Sequence, residues 1–125
     1  LPMWMDLTDP SPALGWRGRE RASFADRVSP DLVLALALVH HLAISGTVPL
    51  AEIARFLADF GSEVVVEFPT PDDEMVGRLL RNKRSGLFDH YRLEAFERAV
   101  DDHFDVVRRE LLPSGSRYLF HLAPR

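Results

Sequence analysis

Cysteine is absent from the 125 residues, which removes disulfides, thiolate zinc sites and cysteine nucleophiles together and fits a reducing, cytoplasmic setting. Clustered positive charge is sparse as well. The densest basic stretch is Arg78, Arg81, Lys83 and Arg84 in a chain of formal net charge −4, so the footprint of a nucleic-acid binder is missing. The longest nearly uncharged apolar stretch, Leu32–Leu50, is broken by His40, His41, Ser45, Gly46, Thr47 and Pro49, which argues against a membrane span. No basic segment precedes the apolar Leu1–Met5, so no signal peptide is expected. Repeats and low-complexity segments are lacking too. What is present is 46% hydrophobic content, enough at this length for one domain with a real core and too little for two.

The chain alternates strand and helix signals. Leu1–Met5 reads as a short strand, and a chain that opens in mid-strand reads as the later part of something longer. Leu7–Gly18 carries Pro10, Pro12, Gly15 and Gly18 and is expected to be loop, pinned by Trp16. Trp4 is expected in the core. A short helix is predicted over Arg19–Arg27, with Ala22 and Ala25, or Phe24, facing inward. Asp31–Val39 is continuously apolar without alternation, the pattern of a central strand covered by helices on both faces. Pro49–Phe60 has apolar residues at helical spacing and is stopped by Gly61, and Glu63–Phe68 is a buried strand. Thr70 as N-cap, Pro71 at the first helical position and the acids 72–74 open a helix running to about Lys83. Leu93–Phe104 marks one more amphipathic helix. Phe104–Leu112 and Arg117–Leu122 are strands whose link is too short for a crossover, so they pair antiparallel.

This order predicts an α/β fold: parallel strands with helices on both faces, closed by a terminal antiparallel hairpin. Binding sites in such sheets lie beyond the carboxyl ends of the parallel strands. Asp6, Ala37–His41 and Glu67–Pro71 occupy those ends. Asp6 can act there or simply cap its own loop. His40 and His41 are adjacent, so their side chains diverge by roughly 100–180° in regular backbone. One is expected to reach a cleft, with His41 preferred, while the other packs or bonds a main-chain group; a metal site made of both is not expected. Glu67 caps the next helix or reaches the cleft, and capping is preferred.

The run Asp31-Leu-Val-Leu-Ala-Leu-Ala-Leu-Val-His-His-Leu42 resembles the fourth strand and following turn of class I S-adenosylmethionine-dependent methyltransferases, a Rossmann-like family. Met5-Asp-Leu-Thr-Asp-Pro-Ser-Pro-Ala-Leu-Gly-Trp16 resembles a subset of them, the methyltransferase-like proteins of nodulation host specificity. Val48-Pro49, Val66-Glu67-Phe68, Phe88-Asp-His-Tyr91 and Ser116-Arg-Tyr-Leu119 extend the resemblance over nearly the whole chain.

The resemblance implies the C-terminal part of one methyltransferase domain, here residues 1–125, with S-adenosylmethionine as cofactor. It places Asp6 beside the adenine amine and the backbone of Leu7 in support. It sets the backbone of Ala37 and Leu38 along the methionine part, and His40 and His41 at the substrate-facing turn. The Gly-rich first strand and loop and the acid after the second strand, which complete the family's cofactor site, are not in this sequence; no G-x-G-x-G occurs among its seven glycines. The N-methyltransferase signature, Asn or Asp followed by Pro-Pro and an aromatic, is also missing at Ala37–His40. That favours a small-molecule or glycan acceptor over a nucleic-acid amine. If the acceptor carries a proton, one histidine near neutrality would serve as base. The competing expectation is a non-catalytic module that dimerises or binds a partner through an exposed sheet edge.

Overall fold

The computed structural model describes residues 2–125, and its order follows from local chemistry. A short helix α1, Phe24–Arg27, is capped by Ser23, whose hydroxyl accepts from the Asp26 amide at 3.2 Å. Strand β1 spans Leu32–Ala35. The chain then turns through a π-helical turn, His41–Ser45, closed by the Gly46 amide on the His41 carbonyl at 2.9 Å. Helix α2 (Leu50–Ala58) buries Leu50, Ile53, Ala54 and Leu57 along one stripe, the i, i+3, i+4, i+7 spacing of an amphipathic helix. Strand β2 is Glu63–Pro69 and helix α3 is Glu74–Leu80. Helix α4 (Leu93–Asp101) precedes strands β3 (Phe104–Leu111) and β4 (Arg117–Pro124).

The four strands form one mixed sheet in the order β1-β2-β4-β3. β1 and β2 are parallel, with Leu32 opposite Glu63 and Ala35 opposite Val66. β4 runs antiparallel to both of its neighbours, so β3 points the same way as β1 and β2. The expected closing hairpin is present, and its last strand inserts between β2 and β3. The chain is therefore an α/β fold.

Only one face of the sheet is well covered. Val64, Val66, Phe68, Phe120 and Leu122 are buried together with Phe96 and Val100 of α4 and Ile53 and Leu57 of α2. Phe96 stacks on Phe68 with ring centroids 4.7 Å apart and meets Phe120 edge-on at 5.4 Å, geometries worth about 1 kcal/mol each beyond the area buried. On the opposite face Leu32 and Leu34 are 47% and 63% exposed, and Leu36, just past the strand, is 52% exposed. The prediction that helices cover both faces of Asp31–Val39 is thus corrected. The run is apolar on both sides, but the described residues supply a cover for one alone.

Other expectations need correction too. Residues 2–5 are not a strand; Leu1 lies outside the described residues. Trp4 is fully exposed and Trp16 is 77% exposed, so neither is core or anchor. The first helix begins at Phe24, not Arg19; of the residues expected to face inward, Ala22 and Ala25 are exposed and Phe24 packs edge-on against Phe60 at 6.2 Å. The strand in Asp31–Val39 ends at Ala35. Asp73, not Thr70, caps α3: its carboxylate accepts the Met75 amide at 3.0 Å. Thr70 is instead tied to the Ser116 carbonyl through both its amide and its hydroxyl.

Candidate functional site

Two chain segments meet beyond the carboxyl end of β1, the loop around Asp6 and the turn that follows the strand. Ala37, at φ +51°, lies in the left-handed region that non-glycine residues rarely adopt. This strained position turns the chain from the strand into the helical turn, and strain of this kind, about 1–2 kcal/mol, tends to collect at functional sites. The π-helical geometry that follows is another feature often found at such sites. It directs His41 outward, while Leu42, Ala43 and Ile44 enter the core.

The Asp6 loop packs against this turn. One oxygen of Asp6, Oδ1, accepts the Thr8 amide at 2.9 Å and the Thr8 hydroxyl at 2.7 Å. These bonds, the hydroxyl first, hold the carboxyl below its ordinary range. Oδ2 accepts no hydrogen bond among the described residues. Asp6 therefore caps its own loop and keeps one oxygen available. The close approach depends on Gly46, where an added Cβ would stand 2.6 Å from Thr8 Cγ2 and 2.8 Å from the Leu42 carbonyl oxygen. No side chain larger than hydrogen fits without movement.

Between loop and turn lies a cavity of about 380 Å3 lined by Met5, Asp6, Leu7, Thr8, Leu38, His41, Leu42, Ser45 and Gly46. Of the six residues singled out in the sequence, Asp6, Leu7, Leu38 and His41 come together here. Ala37 is exposed beside them but does not line the cavity. His40 is 1% exposed, and its Nδ1 has no hydrogen-bond partner among the described residues. The two histidines diverge less than expected: their ring centroids are 4.1 Å apart. His40 has helical backbone angles, φ −65° and ψ −33°, so the separation falls near the small end of the range. Burial first, then the neighbouring His41, pushes the His40 pKa down to about 4. His40 is therefore neutral at physiological pH.

A second polar cluster sits near His40, at the end of β2. Arg117 of β4 donates from Nε to Asp73 Oδ2 at 2.8 Å, from Nη2 to Asp73 Oδ1 at 3.1 Å and from Nη1 to Glu67 Oε1 at 2.7 Å. Ser116 adds a hydroxyl bond to Asp73 Oδ2 at 2.9 Å. The Arg117 guanidinium is the main reason that the Asp73 carboxyl titrates well below the usual carboxylate range. Glu67 thus neither caps α3 nor lines the cavity beside Asp6. Tyr91 is buried, stacks on Phe68 at 4.9 Å and donates to the Pro69 carbonyl at 2.6 Å. Sequence reading missed Gly46, Asp73 and Arg117. Gly46 carried a local hint, a glycine closing the turn after His41, whereas the Arg117 fork joins residues 44 and 50 positions apart and leaves no periodic trace.

Among the described residues, no group of three or more His, Asp or Glu side chains could hold a metal ion. No helix there is long and apolar enough to cross a membrane.

No family model and no solved structure matches the chain. It is similar to Nodulation protein NoeA of Rhizobium meliloti (strain 1021), with 42% identity over 120 residues. The match covers 96% of this chain and 25% of that relative, so the chain spans about a quarter of the length of the curated protein it matches.

Proposed function

We propose that the chain contributes to S-adenosylmethionine-dependent methyl transfer within a longer protein, acting on a small-molecule or glycan acceptor. The observation that carries this reading is the cavity of about 380 Å3 in which Asp6, Leu7, Leu38 and His41 meet at the carboxyl end of β1. Its size lies in the range of small-molecule sites, about 300–1,000 Å3. The sheet supports the reading as well, because a terminal strand running against its parallel neighbours is what a Rossmann-like methyltransferase sheet requires.

The residues present fit one end of the cofactor. The unused oxygen of Asp6 can accept from the adenine amine, and Leu7, Leu38 and Leu42 offer apolar walls to the ring. No Gly-rich backbone cradle and no second acid for the ribose occur among the described residues, so the methionine end must be held elsewhere. Bound S-adenosylmethionine supplies a methyl group already activated on sulfur, which leaves this chain to align the acceptor and exclude water. Exposed His41 is the side chain placed to take an acceptor proton; buried His40 backs it. In this reading the backbone of Leu7 supports the adenine contact, and the backbone of Ala37 and Leu38 runs toward the methionine part, whose carboxylate is held elsewhere.

Calorimetric titration with S-adenosylmethionine tests the reading. The longer protein should bind it and this chain alone should bind weakly, with Asp6→Ala reducing affinity in both. Within the longer protein, His41→Ala should lower kcat by about 10²-fold or more with little change in cofactor affinity. An unchanged kcat would remove His41 from the chemistry.

A second reading is favoured by the sheet edges. β3 is guarded by Asp105, Arg108, Arg109 and Glu110 and by an irregularity between Val106 and Arg108, devices that discourage edge pairing. β1 carries no charge, pairs only with β2 among the described residues, and leaves Leu32 and Leu34 bare. We propose that this edge and face join further chain, from the same protein or a second copy. Sedimentation equilibrium should show self-association of the isolated chain that Leu34→Lys abolishes; a monomer at 100 μM or so would exclude the second copy.

A further inference from the structure

The segment between α3 and α4 borders an open cavity of about 290 Å3 that shares no residue with the one beside Asp6. Lys83, Arg84 and Arg92 line it with a single carboxylate, Asp89, a local excess of positive charge in a chain of net charge −4. None of the three cations has a carboxylate partner among the described residues. Arg92 Nε donates to the Asp89 carbonyl at 2.6 Å, which fixes the plane of its guanidinium while leaving the Nη groups to other acceptors. The wall also includes Ser85 and Gly86, the latter at φ +83°. Their amides donate to nothing among the described residues. Pro71, Leu80 and Phe88, with part of buried Tyr91, give the cavity an apolar side.

We infer that this cavity binds a small molecule carrying a phosphate or sulfate ester on a ring-shaped body, the anion held by Lys83, Arg84 and Arg92 and the ring set against Leu80 and Phe88. Arginine and lysine together suit such an oxyanion, because guanidinium forks match its oxygens and charge-assisted bonds are the strong ones. The cavity is also linked to the histidine turn. Phe88 faces a second hollow, shared with His90 and Leu87 on one side and Ala43, Thr47 and Pro49 on the other. That the cavity binds such a molecule does not rest on the methyl-transfer reading.

Phenyl phosphate titrated into the chain, followed by amide resonances, tests the binding directly. Saturable shifts at Ser85, Gly86 and Phe88 are expected, weakened by salt. The Lys83→Ala/Arg84→Ala double variant should raise Kd at least about tenfold, and Asp89→Asn should lower it. All three side chains are exposed, so these variants should retain the circular dichroism of the parent. Phenol binding as well as phenyl phosphate would overturn the anion site, inorganic phosphate doing so would overturn the ring contact, and unchanged Kd in the double variant would overturn the assignment. Titration with S-adenosylmethionine reports separately on the other cavity, so failure of either idea leaves the other standing.

Discussion

Replacing His40 by leucine should make the protein more stable, and more so in acid. His40 is 1% exposed with an unpartnered Nδ1, a group whose desolvation without a hydrogen bond costs about 1–3 kcal/mol. Leucine is close in volume, so little packing strain is expected, within about 1.5 kcal/mol. At pH 7.5 the variant should therefore gain about 1 kcal/mol. The pH dependence is the sharper test. The His40 pKa falls from 6.5 to about 4 on folding, through burial and the adjacent His41, with Arg117 adding and Asp73 and Glu67 opposing. Because the folded value is depressed, the unfolded chain binds the proton first. Stability is full above about pH 6.5 and declines as the pH falls toward 4. At pH 5 the decline from this one group comes to about 2 kcal/mol. Urea unfolding of both proteins at pH 7.5 and pH 5.0 reads it: the advantage of His40→Leu should widen from about 1 to about 3 kcal/mol. The other four histidines are common to both proteins and cancel. An advantage that stays constant between the two pH values would refute the claim that His40 is buried neutral.

Arg117→Met should destabilise the fold by about 3–5 kcal/mol, since it strands Glu67 and Asp73 without their cation; Arg117→Lys should recover only part, lacking the two-pronged fork. Equilibrium unfolding of the three proteins checks the order. Asp73 itself should contribute stability that is present above its unfolded value of 3.8 and is lost as the pH falls below it; Asp73→Asn should flatten that acid limb. Gly46→Ala should cost about 1–3 kcal/mol by driving a methyl group into Thr8 and the Leu42 carbonyl. It should also speed amide exchange at Thr8, and unaltered protection there would mean that the Asp6 loop does not rest on the turn.

Much of this architecture was legible before any coordinates. The stripe Leu50, Ile53, Ala54, Leu57 announced α2, the valines 64–66 announced β2, and the four-residue link Pro113–Ser116 required an antiparallel pair. Each is a local pattern, and local patterns survive in sequence. Asp6, Leu7, Leu38 and His41 were nominated together by strand ends and resemblance, and the fold does bring them to one cavity. In the stretch Lys83–Arg92 the sequence marked Phe88-Asp-His-Tyr91 but not the hollow, because a basic helix end reads the same whether solvated or folded around one.

What the sequence alone determined, then, is most of the helices and strands from Leu32 onward and the pairing of the last two strands, because periodicity and turn length are properties of neighbouring residues. Tertiary structure decided which face of β1 is covered, which of two adjacent histidines is buried, and which carboxylates Arg117 joins. Those depend on residues up to 50 positions apart, and no local spacing encodes a contact that only folding creates.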